Sequence, residues 1–187
     1  MARNILKNKG KPKVIKTYRQ SVPATRFIGK QYGDEDRHDG GFGRQWGEWF
    51  QQGWFDALEK ACPAADFEDA GAYIGLMYDK HDENGQREPF QYWVGMFFPE
   101  GTEVPEGFGF VNFPAVDLGV AWLCGKENTL YMHEAHALAA IEKSGMALDR
   151  EHCCWCFERY ACPRFTTPDR KGKIILDICH FAEKEPK

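Results

Sequence analysis

The stretch CWCFERYACPRF, residues 154–165, sets one carboxylate among rings and thiols. Glu158 has Trp155, Phe157 and Tyr160 close by in sequence, and Cys154, Cys156 and Cys162 around it. A charge in an apolar strand is costly unless a cation or hydrogen bonds compensate it. Three chemistries would account for it. A carboxylate beneath aromatic walls pairs with flat cationic ligands, each ring face adding about 0.5–2 kcal/mol by cation–π contact. A desolvated carboxylate has its pKa raised toward neutral and becomes a usable general acid or base. Tyr92 or Tyr160 would then donate to a developing oxyanion. The third account is structural, an ion pair with Arg159, Arg164 or Arg26.

Other reactive residues carry weaker signals. MHEAH places His133 and His136 three apart on a helix, with Cys153, Cys154 and Cys156 later in the chain, but it is not HExxH. CCWC offers a single C-x2-C spacing, Cys153 to Cys156, and not the two pairs of a structural zinc site, so no metal is expected. Cys156 as a nucleophile would need His133 or His136 as its base. DGGFG has no following Lys-Ser/Thr and is not a P-loop. No cofactor is expected.

The elements that must position these residues occur in a repeated order. KVIKTYRQSVPATRFIGKQYG (13–33) reads as an extended segment around Pro23. In 43–60, Trp46, Trp49, Phe50, Trp54 and Leu58 recur at helical spacing as one apolar stripe, ended by Pro63. AYIGLMYD and FQYWVGMFF read as strands joined by a turn at Asn84-Gly85. After PEGTEVPEG the order restarts. FGFVNFPAVDLGVAWLCG is extended around Pro114. TLYMHEAHALAAIEKSG is a helix with Leu130, His133, Ala137 and Ile141 near one face and Gly145 as C-cap. CCWCFERYACPRF and IILDICHF are strands.

Strand-helix-strand-strand, twice, predicts an α+β fold. It is a duplicated module forming one antiparallel sheet, with two main helices on one face and a central groove. The halves are 13–99 and 106–181, within a domain of 13–187 preceded by a basic arm, 1–12. Side chains alternate across a strand. Cys154, Cys156 and Tyr160 therefore share the face of Glu158, and Trp155, Phe157 and Arg159 take the other.

Composition sets limits. The chain has 187 residues, 43% hydrophobic, with fourteen Phe, seven Tyr and six Trp. This is a globular composition, and the aromatic surplus suggests a thick core or an aromatic-lined cavity. A net charge of −4 argues against direct nucleic-acid binding, the basic arm reading as a solvated tail. No apolar run is long enough to span a membrane, and no signal peptide is visible. Seven cysteines then read as free thiols in a cytoplasmic protein.

Three phrases in order resemble the GyrI-like small-molecule-binding family, which also supplies effector domains of AraC-type and MerR-type multidrug regulators. They are VPATRFIGKQY, then FQYWVGMFFPEGTEVPEGFGFVNFPAVDLGVAWLCG, then FERY followed by KIILDICHF. The resemblance implies a central groove with Glu158 at its bottom. It favours Tyr92 as groove-facing, with Trp93 as the alternative. Trp122 on the second opening strand, Trp46, Trp49 and Tyr131 on bordering helices, and Tyr160 and Cys156 beside Glu158 complete the expected lining. It also implies a stand-alone binder of aromatic, hydrophobic and cationic small molecules. One alternative it offers is a hydrolase opening the cyclopropane ring of DNA-alkylating toxins, with Glu158 activating water and Tyr92 holding the substrate carbonyl. Another is a protein-binding inhibitor or regulatory module.

Overall fold

The structure is a computed structural model describing residues 11–131 and 133–184; residues 1–10 of the expected basic arm lie outside them. The strands are β1 (Lys13–Val22), β2 (Thr25–Tyr32), β3 (Tyr73–Tyr78), β4 (Gln91–Pro99), β5 (Gly109–Phe113), β6 (Val116–Gly125), β7 (Trp155–Tyr160) and β8 (Ile174–Ala182). The helices are α1 (Gly43–Gln52), α2 (Trp54–Ala61) and α3 (Glu134–Lys143). All eight strands form one antiparallel sheet in the order β1-β6-β8-β7-β3-β4-β2-β5. Within it β2-β4-β3 and β6-β8-β7 repeat the same internal order, and β3 and β7 meet at the centre. This is the duplicated α+β architecture expected from the repeated element order.

Each opening segment is two strands rather than one. β1 pairs with β6 and β2 pairs with β5, and the register runs on across both bends: Val22 faces Val116, and Thr25 faces Phe113. The openings therefore form one bent ribbon. Its corners are Pro23-Ala24 and Pro114-Ala115, where proline offers no N–H to a ladder. The ribbon joins the two ends of the sheet and forces it to curl. As a result every strand contributes to one apolar cluster on the curled inner face, including Val22, Phe27, Ile74, Phe97, Phe113, Leu118, Phe157 and Phe181.

The helices pack on the other face. α1 and α2 cover Ile28, Tyr92, Val94 and Met96 of the first half. Ala137 and Ile141 of α3 cover Ala121, Leu123, Leu176 and Ile178 of the second. The continuous stripe of 43–60 is interrupted at Gly53, which adopts a left-handed conformation with φ 66°. That conformation strains any residue with a Cβ, so one expected helix becomes two. The helix of the second half is shorter than its apolar pattern, because Leu130 precedes it as a buried turn residue. Gly145 follows α3 with φ 91°, as a C-terminal cap requires.

Candidate ligand-binding site

Glu158 lies at the centre of the sheet, on the helix-bearing face, between the layer of α1 and α2 and that of α3. Across the sheet it is directly opposite Gly75 of β3 and Ile178 of β8. Glu158 and Tyr160 keep some contact with solvent although protein surrounds them on nearly every side, as groups at the bottom of a recess do.

Rings and hydroxyls converge there. The Tyr160 hydroxyl donates to Glu158 Oε2 at 2.7 Å. Trp46 Nε1 donates to the Tyr92 hydroxyl at 2.9 Å. The Trp46 ring meets the Tyr160 ring edge-on, with centroids 4.6 Å apart. Phe42 stacks on Tyr92 at 4.1 Å with the planes parallel. Gly75 makes the approach possible: a Cβ there would lie 2.5 Å from the Tyr92 hydroxyl oxygen and 3.4 Å from Glu158 Oε2. We expect Gly75→Ala to displace the Tyr92 hydroxyl from Trp46 and to destabilise the protein by about 1–3 kcal/mol, as overpacking does. Thermal melting and tryptophan emission would register both effects.

The electrostatics follow from burial. Desolvation raises the Glu158 carboxyl above its ordinary range, and the Tyr160 hydrogen bond only partly opposes this. Burial, then the Glu158 charge, pushes Tyr160 and Tyr92 up as well. Tyr131, 39% exposed, is pushed up to about 12 by burial, Glu127 and Glu158. Among the described residues no Lys, Arg or His is paired with Glu158. The three arginines considered as partners are engaged elsewhere. Arg159 donates to Asp177 at 2.9 Å, Gln20 at 2.7 Å and Tyr18 at 3.0 Å, all on the opposite face. Arg164 binds Asp69 and Asp177. Arg26 donates to Asn112 and to the Thr102 carbonyl.

Of the expected lining, Glu158, Tyr160, Tyr92 and Trp46 come together, with Tyr131 near enough to feel the carboxylate. Cys156 shares their face, two residues along β7. Three tryptophans do not join them. Trp93 projects from β4 into the inner core and meets Phe27 edge-on, because alternation sends it opposite Tyr92. Trp122 is likewise on the inner face, beside Tyr18 and under Arg164. Trp49 is wholly buried core and donates to the Tyr32 hydroxyl at 3.1 Å. Sequence reasoning missed Phe42, Gly75, Glu134 and His180. Only Gly75 carried a signal, a glycine inside a strand that marks a close approach.

For metal chemistry, Glu134, Cys156 and His180 are the group among the described residues whose donor atoms lie within 4.8 Å of one another. His133 and His136 are not part of it. All seven cysteines are free thiols.

The chain matches no family model and no curated protein. Its fold is shared with solved structures. SAV2435 bound to tetraphenylphosphonium aligns over 90% of this chain and 94% of its own, with TM-score 0.61 and 12% identity. The EcmrR C-terminal domain aligns over 90% and 98%, with TM-score 0.55 and 14% identity. A hydrolase encoded by lin2189 from Listeria innocua aligns over 97% of both chains, with TM-score 0.52 and 12% identity. The architecture implied by the resemblance to GyrI-like domains is the one these structures have.

Proposed function

We propose that this protein binds small aromatic cations in the recess over Glu158. One observation carries the reading: a carboxylate surrounded by protein has no cation beside it among the described residues. Such a group is unfavourable in the free protein, and a ligand cation would remove the penalty. Trp46, Tyr160 and Tyr92 present ring surface next to the charge and Tyr131 stands toward solvent, a composition suited to flat or multi-ring cations. That a protein of the same fold holds tetraphenylphosphonium supports the ligand class.

The test is a titration with tetraphenylphosphonium followed by tryptophan emission, against triphenylphosphine oxide as a neutral comparator. The cation should bind more tightly by tenfold or more, and its affinity should depend on pH. Binding favours the ionised carboxylate, so affinity should fall as pH drops through the raised Glu158 pKa, and complex formation near that pKa should release a proton. Equal affinity for cation and neutral comparator at every pH would defeat the proposal.

A second reading is hydrolysis, favoured by the combination of a carboxyl raised toward neutral with two hydroxyls next to it. In that case Glu158 takes a proton from water and a tyrosine hydroxyl donates to the substrate oxygen. Ring-opened product, detected by mass spectrometry after incubation with a cyclopropane-bearing alkylator, would favour it over simple binding.

A further inference from the structure

We propose that Glu134, Cys156 and His180 form a binding site for a divalent transition metal, zinc by the character of the donors. Cys156 and His180 are directly opposite each other on β7 and β8, an arrangement that holds side chains of one face about 4.5–5.5 Å apart at Cβ. Glu134 is the first residue of α3, which packs over β8. Its carboxylate comes within 3.1 Å of His180 Nε2.

His180 supplies a buried nitrogen donor. Its side chain is 3% exposed, and neither ring nitrogen has a hydrogen-bond partner among the described residues. The Glu134 oxygen is close to Nε2 but outside hydrogen-bonding alignment. A buried, unpartnered polar group costs about 1–3 kcal/mol. A metal ion on Nε2 would satisfy that nitrogen.

The charges around Cys156 point the same way. Its sulfur lies within 4.8 Å of a Glu134 carboxylate oxygen, and Glu158 follows two residues along the same face of β7. These surroundings disfavour a thiolate nucleophile, which would need a cationic neighbour. They suit a bound cation instead, and coordination itself removes the thiol proton. One sulfur, one nitrogen and one oxygen donor match zinc and its neighbours, whereas magnesium and calcium take oxygen ligands.

In a tetrahedral zinc site the donors lie roughly 3.3–3.6 Å apart; here all three lie within 4.8 Å of one another, so binding asks for a small contraction. The Glu134 side chain is 41% exposed, so its carboxylate can shift without repacking the core. A fourth position would remain for water.

The experiment uses chelator-stripped full-length protein and Co2+ as a spectroscopic stand-in. One equivalent of Co2+ should produce a thiolate charge-transfer band and visible d–d bands, and Zn2+ should bleach them. Cys156→Ser should abolish the charge-transfer band. Glu134→Gln, at a partly exposed position, should leave apo melting unchanged and weaken Zn2+ binding roughly tenfold or more. Zn2+ should raise the melting temperature of wild type more than that of Glu134→Gln. Absence of the band in wild type overturns the proposal. Its persistence in folded Cys156→Ser also overturns it, because the thiolate would then come from another cysteine, such as exposed Cys153. Equal Zn2+ affinity and equal thermal shift in wild type and Glu134→Gln would remove Glu134 from the site and refute the assignment as stated.

Discussion

Glu158→Gln should abolish cation selectivity while making the protein more stable. The variant keeps the side-chain shape and can still accept from the Tyr160 hydroxyl, but carries no charge. Affinity for tetraphenylphosphonium should fall by about 1.5–3 kcal/mol, the scale of a charge-assisted hydrogen bond, while the neutral comparator binds nearly as before. The stability change has a definite sign. The folded-state pKa of Glu158 is raised above its unfolded value, so the folded protein binds the extra proton. Stability is then lost as pH rises from the ordinary glutamate value, roughly 4.3, through the raised one. The glutamine has no such loss. Its melting temperature should exceed wild type at neutral pH, and the gain should vanish near pH 4. A site residue whose removal stabilises the fold is one retained for its function. A variant less stable than wild type at neutral pH, with unchanged cation affinity, would make Glu158 a structural residue.

Asp177→Asn should give the opposite result. Asp177 is fully buried and binds both Arg159 and Arg164, with Asp69 completing a neutral cluster of two arginines and two aspartates. Removing one charge leaves two guanidinium groups, one of them wholly buried, sharing Asp69. Breaking a buried pair from one side costs about 3–5 kcal/mol. For a chain of this size that is a melting-temperature drop of roughly 6–20 °C. The cluster lies on the inner face of the sheet and Glu158 on the outer. Cation affinity, measured well below the melting temperature, should therefore stay within a factor of about two. Loss of cation binding in the folded variant would mean that the two faces are coupled.

The pattern of apolar and polar residues was enough to determine the order of strand and helix segments and its repetition. Periods of two and 3.6, punctuated by Pro23, Pro63, Pro114 and Gly145, are local properties of the chain. The partition of β7 was legible for the same reason: alternation alone puts Glu158 and Tyr160 on one face and Phe157 and Arg159 on the other. Alternation likewise bars Tyr92 and Trp93 from sharing a face. Which of them accompanies Glu158 depended on the register of β4 against β3 and β7, set by pairings between residues far apart in sequence. The break at Gly53 was present as a glycine, but its left-handed conformation depends on what α1 and α2 must each cover. Neither the curl of the sheet, which turns Trp93 and Trp122 inward, nor the meeting of Glu134, Cys156 and His180 has a local signature. They arise because the bent ribbon ties the two ends of the sheet together, and because β8 comes to lie beside β7 beneath α3. The absence of a cation at Glu158 among the described residues is likewise a tertiary fact. Packing sends Arg159 and Arg164 to Asp177 on the inner face and Arg26 to Asn112 on the edge strand β5, leaving the carboxylate to its rings.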